Sequence, residues 1–272
     1  MEHENLFINK VEFVREMFIN TADNNYILAR YSFYNSYPFE FLWLAMHALE
    51  KYMKASLLLN GMSSKKYNHD LVALSKAVNE YAEELLQFSF EKPKDIKLNF
   101  VAEEWWLNEE PQNFIQKISN LGSPNNRYRT YGLLKTPDMI FKIDTLVYYY
   151  RRICRDLSKT IPIEGDDTKI FDILALDNSK WKIDRGILED VLEDKDTKEK
   201  RKIFLKNNLI FAPDDFIHDS YAGGTYIFNS VIEPYLNEEK TNDDENVRTL
   251  KKEMRSWIKD NIQLPYTWKD LL

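Results

Sequence analysis

The chain has 272 residues, 44% hydrophobic and 14% aromatic, enough for a sizeable core in one large domain or a main domain with an appendage. Only 7 glycines and 9 prolines interrupt it, which argues against a many-stranded barrel, and the single cysteine, Cys154, excludes an internal disulfide. The net charge is −7, the start "MEHENLFINK" lacks the basic flank and apolar run of a secretory leader, and no apolar run reaches the roughly 18 residues of a membrane span, so a cytoplasmic location is expected.

Phe7, Val11, Val14, Phe18 and Ala22 recur at three- and four-residue spacing, which predicts a helix from about Leu6 to Phe33 with one stripe on a core. Pro38 ends it, because the residue before a proline is driven out of the helical region, and the same proline suits the first turn of a second helix. On that helix Leu42, Ala45, Met46, Leu49, Met53 and Ser56 face inward, until Asn60-Gly61 supplies a left-handed stop. Asn68 is placed to cap a third helix with the stripe Leu71, Leu74, Val78, Tyr81, Leu85 and Phe88. The segment from Glu91 to Glu110 interrupts the pattern, and its Trp105-Trp106 pair belongs either to a small satellite core or to a partner-binding patch.

"PQNFIQKISNL" reads as a short helix and residues 122–132 as a turn-rich loop. Thr136-Pro137-Asp138 then opens a helix, with a capping threonine and an acid near the positive dipole end, striped by Met139, Ile143, Leu146, Tyr150, Ile153 and Leu157. The fold class is therefore mainly α: an up-and-down helical bundle over residues 1–159 with an insertion near 91–110. A C-terminal, mostly helical module follows over 160–272, with no clean period to define its fold. There "FDILAL" fits a short strand or a turn of helix, residues 185–208 a helix with a solvated charged face, Gly223-Gly224 a turn, and about Asn242 to Asp260 a last helix.

Charge is distributed unevenly. Residues 127–159 hold eight bases against three acids, whereas residues 160–246 hold 21 acids against 11 bases. The basic segment either marks a phosphate-binding surface or is neutralised by its acidic neighbour.

Among the four histidines, His47 shares a helix face with Glu50, Lys51 and Lys54, turned away from the Leu42-Met46-Leu49-Met53 stripe. That face is either simply solvated or a polar patch lining a groove or dimer interface. His69, in the first turn of the third helix, either fixes that turn or does chemistry. His3 lies near the start of the chain, and His218, beside Asp214, Asp215 and Asp219, is either a metal ligand or a coincidence of a polar loop. The sequence has no HxxxH or CxxC pair, no GxSxG elbow, no phosphate-cradling loop and no dinucleotide fingerprint, so no metal and no cofactor is expected. Cys154, between Tyr150 and Leu157 on an apolar face, is read as packing.

"YILARYSFYNSYPFEFLWLAMHALEKYMKASLLLNG", then "NHDLVALSKAV", then "NRYRTYG" before a helix opened by "TPD" together resemble the HEPN family, the higher eukaryote and prokaryote nucleotide-binding domains. Ala48, Glu50, Lys51, Lys54 and Ala55 match its second-helix pattern, His69, Asp70 and Leu71 the start of its third helix, and Arg127 and Tyr128 its Arg-Tyr pair. The likeness covers about residues 1–159. It implies a helical bundle that binds nucleotides or RNA, often as a homodimer and often as a ribonuclease of toxin or antiviral systems with an Arg-x(4–6)-His motif. Here no histidine follows Arg127, Arg129, Arg151, Arg152 or Arg155 at that spacing.

The expectation is a binding module for a nucleotide, RNA or protein partner without its own catalysis. Arg127, Arg129 and Tyr131 are the candidate phosphate contacts, joined by Glu50, Lys51 and Lys54 on the second helix. The alternatives are a metal-independent ribonuclease in which His47 or His69 replaces the missing histidine, and a protein-interaction scaffold.

Overall fold

The computed structural model describes residues 2–93, 104–126, 128–163, 165–193, 198–213, 216, 225–236 and 244–262. The molecule is mainly α, as the periodicity predicts. Helix α1 (Glu2–Val14), a π turn (Arg15–Ile19) and α2 (Asn20–Tyr34) form one long rod. The Asn20 N–H bonds the carbonyl of Arg15 five residues back, which re-aims the stripe, and Val14 and Ala22 are buried as expected. The outer side of this rod exposes Phe13, Met17, Leu28 and Tyr31. Helix α3 (Pro38–Leu59) packs along α2, and all six of its predicted inward residues are buried. Among the described residues no helix is long and apolar enough to cross a membrane.

Helix α4 (Leu71–Ala82) begins two residues later than its expected cap. Asp70 is the N-cap, its carboxylate accepting the Ala73 N–H at 3.0 Å, while Asn68 takes a turn conformation at φ +46°. A carboxylate at the positive end of the helix dipole outcompetes an amide two positions earlier. Helix α5 (Pro111–Leu121) leads through a loop to strand β1 (Leu133–Lys135) and then α6 (Met139–Arg152). The expected threonine cap of α6 is also displaced. Among the described residues Thr136 Oγ1 is buried without a partner, and Asp138 accepts the Leu107 N–H at 3.1 Å and pairs with Lys142 at 2.7 Å.

Every residue of α6 except Tyr149 is buried, so the helix is central, and its charges are matched from the elements around it. Asp144 accepts from Arg30 and from the Tyr26 hydroxyl (2.6 Å). Arg151 grips Asp23 on α2 (2.8 and 2.9 Å) and Glu189 (2.8 and 2.6 Å), and Lys142 pairs with Asp138 and Glu109. For Arg151 the acidic neighbour supplies one counter-charge, Glu189, whereas Lys142 is neutralised by Glu109 and Asp138 from outside that segment.

Residues beyond 159 share this core. After the exposed hairpin β2 (Thr160–Ile163) and β3 (Asp166–Lys169) come α7 (Ile170–Leu176), α8 (Ile187–Glu193) and α9 (Lys198–Leu205). "FDILAL" is thus helical, and residues 185–208 form two short helices. Leu174, Leu188, Val191, Phe204, Leu205 and Phe211 join the same buried cluster as α2, α3 and α6, while Asp190, Glu193, Lys198, Lys200, Arg201 and Lys202 stay exposed, as the charge pattern predicts. Strand β4 (Tyr226–Phe228) returns to pair antiparallel with β1, Leu133 opposite Phe228 and Lys135 opposite Tyr226. Helices α10 (Glu233–Leu236) and α11 (Glu245–Asn261) follow, the latter capped by Asp244. The tryptophan pair divides its roles. Trp106 donates to the Phe90 carbonyl at 3.0 Å and packs on Phe141, while Trp105 remains 37% exposed.

Candidate functional site on the outer face of helix α3

Helical geometry puts residues 39, 43, 47 and 51 in one slanting row, because a four-residue step overshoots one turn by only about 40°. In "FEFLWLAMHALEK" these are Phe39, Trp43, His47 and Lys51, opposite the buried stripe. At about 1.5 Å rise per residue the row is roughly 18 Å long.

Glu50 organises its C-terminal end. Its carboxylate is 6% exposed and accepts from Lys54 Nζ at 2.6 Å and from His69 Nδ1 at 3.0 Å, with His47 Nδ1 at 3.5 Å. The two histidines, 22 residues apart in sequence, therefore meet on one carboxylate. Both Nδ1 atoms face the Glu50 carboxylate, to which a protonated Nδ1 donates. Burial pushes the Glu50 carboxyl up, but the hydrogen bonds from His47, Lys54 and His69 outweigh it and hold it at about 2. The anion is thus permanent across the physiological range. Lys54 also donates to the Asn68 carbonyl, which ties the loop before α4 to the cluster. Lys51 is half-buried, with Nζ 3.4 Å from Asn25 Oδ1; burial lowers its pKa and the charge of Glu50 partly restores it.

The N-terminal end is aromatic. The Trp43 ring meets the His47 ring edge-to-face at 4.3 Å, and Arg129 lies over Phe39 with its guanidinium carbon 5.6 Å from the ring centroid. Phe39 and Trp43 line a cleft of about 230 Å³ whose opposite wall is Leu121, Gly122 and Ser123, at the C-terminal end of α5. Asn126 closes one side, with both side-chain atoms engaged: Nδ2 donates to the Leu121 carbonyl and Oδ1 accepts the Tyr131 N–H.

The structure thus unites His47, His69, Glu50, Lys51 and Lys54, and links them through Trp43 and Phe39 to Arg129. Arg129 is exposed in a left-handed conformation (φ +58°). It stands at the far end of the row, so it does not share one phosphate with the α3 lysines. The Tyr131 backbone N–H donates to Asn126 Oδ1 at 2.8 Å. Arg127, His218 with its neighbouring aspartates, and Gly223-Gly224 lie outside the described residues. Among the described residues no three His, Cys, Asp or Glu side chains are placed to hold a metal ion. Cys154 is buried and donates to the Tyr52 carbonyl at 3.2 Å, and burial pushes its thiol well up, as its packing role requires.

Sequence reasoning missed Phe39, Glu40 and Trp43. For Phe39 and Trp43 the signal was present, since they continue the four-residue spacing of His47 and Lys51, but all three stand in an apolar-looking run that reads as core. No protein-family model, curated protein or solved structure matches the chain.

Proposed function

We propose that the chain binds single-stranded RNA along the outer face of α3. The observation that carries this reading is the succession Arg129, Phe39, Trp43, His47 and the Glu50 cluster: a guanidinium, two aromatic rings, then imidazoles and lysines along one row. Single strands are held by stacking of bases on aromatic rings and by cations that follow the backbone, and this row offers both. The resemblance to the HEPN family supports the same ligand class.

One specific arrangement favours a second reading, metal-independent RNA cleavage. Two imidazoles anchored through Nδ1 to one carboxylate leave two Nε2 atoms for proton transfer. A neutral ring takes the proton of a ribose 2′-hydroxyl as its oxygen attacks phosphorus. The other, protonated, gives a proton to the departing 5′-oxygen, leaving a 2′,3′-cyclic phosphate and a 5′-hydroxyl. Lys51 and Lys54 stabilise charge that develops on the phosphoryl oxygens.

One experiment addresses both readings. The purified chain is incubated with a mixed RNA pool in excess chelator, and complexes and fragments are resolved on gels. Binding predicts a complex whose affinity falls at least tenfold, about 1.4 kcal/mol, in the His47→Ala, Lys51→Ala double variant. An unchanged affinity in that variant removes the proposal. Cleavage predicts fragments ending in cyclic phosphate that vanish in the His47→Ala, His69→Ala variant; intact RNA in the parent removes the second reading alone.

A further inference from the structure

The cleft at the aromatic end of the row has a chemistry of its own. Its walls are the rings of Phe39 and Trp43 on α3 and the backbone turn at Gly122 opposite. That turn comes unusually close to α3: a Cβ on Gly122 would lie 2.5 Å from the Leu42 carbonyl oxygen and 2.9 Å from Met46 Cβ. At about 230 Å³ the cleft is below the roughly 300–1,000 Å³ of pockets for drug-sized ligands, and suits a single flat ring system.

Its polar edge is one-sided. Asn126 is buried with its amide nitrogen and its oxygen each held in a hydrogen bond to the backbone, and the Ser123 hydroxyl already donates to the Asn120 carbonyl at 2.9 Å, which leaves it only lone pairs to offer. Glu40 is exposed at the rim, and among the described residues it makes no hydrogen bond or ion pair. An ionised carboxylate only accepts. The cleft therefore selects a flat aromatic base whose free edge presents adjacent donors.

Guanine alone among the four RNA bases does so, with N1–H and the N2 amino group side by side, matching both oxygens of a carboxylate in two parallel charge-assisted bonds. Adenine and cytosine set a ring-nitrogen acceptor beside their amino group, and uracil flanks its one N–H with two carbonyls. Each of these turns a lone pair toward the carboxylate.

We infer that the cleft between Phe39, Trp43 and Gly122 is a guanine subsite, with Glu40 reading the base and the neighbouring phosphate directed toward His47 and Glu50. The inference rests on the reading of α3 as an RNA-binding face. The 4.3 Å contact of the Trp43 and His47 rings puts base and phosphate positions side by side, so guanine marks the nucleotide next to the acid-base pair.

The test measures binding of three labelled RNA hexamers, oligo-uridine with one central guanosine, adenosine or inosine, and of plain hexauridine, to the parent chain and to Glu40→Gln. Glu40 is exposed, and the amide keeps its shape. The parent is expected to bind the guanosine hexamer at least fivefold more tightly than the adenosine one, with inosine, which lacks the amino group, falling between. Glu40→Gln is expected to erase that preference while its affinity for hexauridine stays within twofold of the parent. Equal binding of all four RNAs by the parent, or a preference that survives in Glu40→Gln, overturns the guanine assignment and leaves the RNA reading standing. Absence of binding to every hexamer overturns both.

Discussion

Glu50 connects three side chains that the chain delivers from separate places. His47 and Lys54 reach it from one turn before and after on the same helix, and His69 arrives from the loop ahead of α4. The first two contacts are legible in the sequence, because spacings of three and four residues share a helix face. The third is not, since it depends on how the 60–70 loop folds back. Arg151 and Lys142 illustrate the opposite failure. As letters they read as a basic surface, yet both are fully buried, because Asp23 and Glu189 reach Arg151 from 128 residues before and 38 after, and Asp138 and Glu109 close on Lys142. Glu50 also makes a pH-dependent contribution with a definite sign. Its carboxyl titrates at about 2 when folded against an ordinary 4.5, so the stabilisation is complete above about pH 4.5 and is lost as pH falls toward 2. Urea unfolding of the parent and Glu50→Gln is expected to show a stability gap that is constant from pH 5 to 7 and closes below pH 4.5. A gap independent of pH would mean that the charge of Glu50 is not what its partners stabilise.

The helices are the part of the fold that the sequence discloses best. The stripes of α3 and α6 are buried residue for residue, because a 3.6-residue period and a buried face are the same fact seen twice. Helix starts are disclosed less well: Asp70 takes the capping role expected of Asn68, while α6 has no side-chain cap and Asp138 turns to the Leu107 N–H and Lys142. Nor does periodicity show how closely two helices approach. Gly122 looks like an ordinary loop glycine, yet it sets the distance between α5 and α3 and hence the width of the cleft. Gly122→Ala pushes a Cβ against backbone carbonyls of Leu42 and Ile118, which hold their positions through helical hydrogen bonds. It is expected to destabilise the chain by about 1–3 kcal/mol, read as a lower urea midpoint at unchanged slope. A midpoint equal to the parent's would show that the two helices part without cost.

At the scale of the molecule, the boundary expected near residue 159 falls inside a shared core. Phe204 and Phe211 pack on Tyr26, Trp181 packs on Phe211, and Glu189 holds Arg151. The second half supplies Glu189 to Arg151, while the other carboxylates paired with Lys142 and Arg151, namely Asp23, Glu109 and Asp138, come from the first half. Among the described residues the α3 row brings cations and aromatic rings together, whereas on α11 Arg248, Lys252 and Lys259 stand on the opposite face from Trp257, which is 53% exposed. The two helices are distinguished most directly by photo-crosslinking of 4-thiouridine-labelled RNA to the full chain, followed by peptide mapping. The account predicts adducts within residues 39–51, at Phe39, Trp43 or His47, which disappear when unlabelled RNA competes. Adducts confined to residues 245–261, with none on α3, would contradict it.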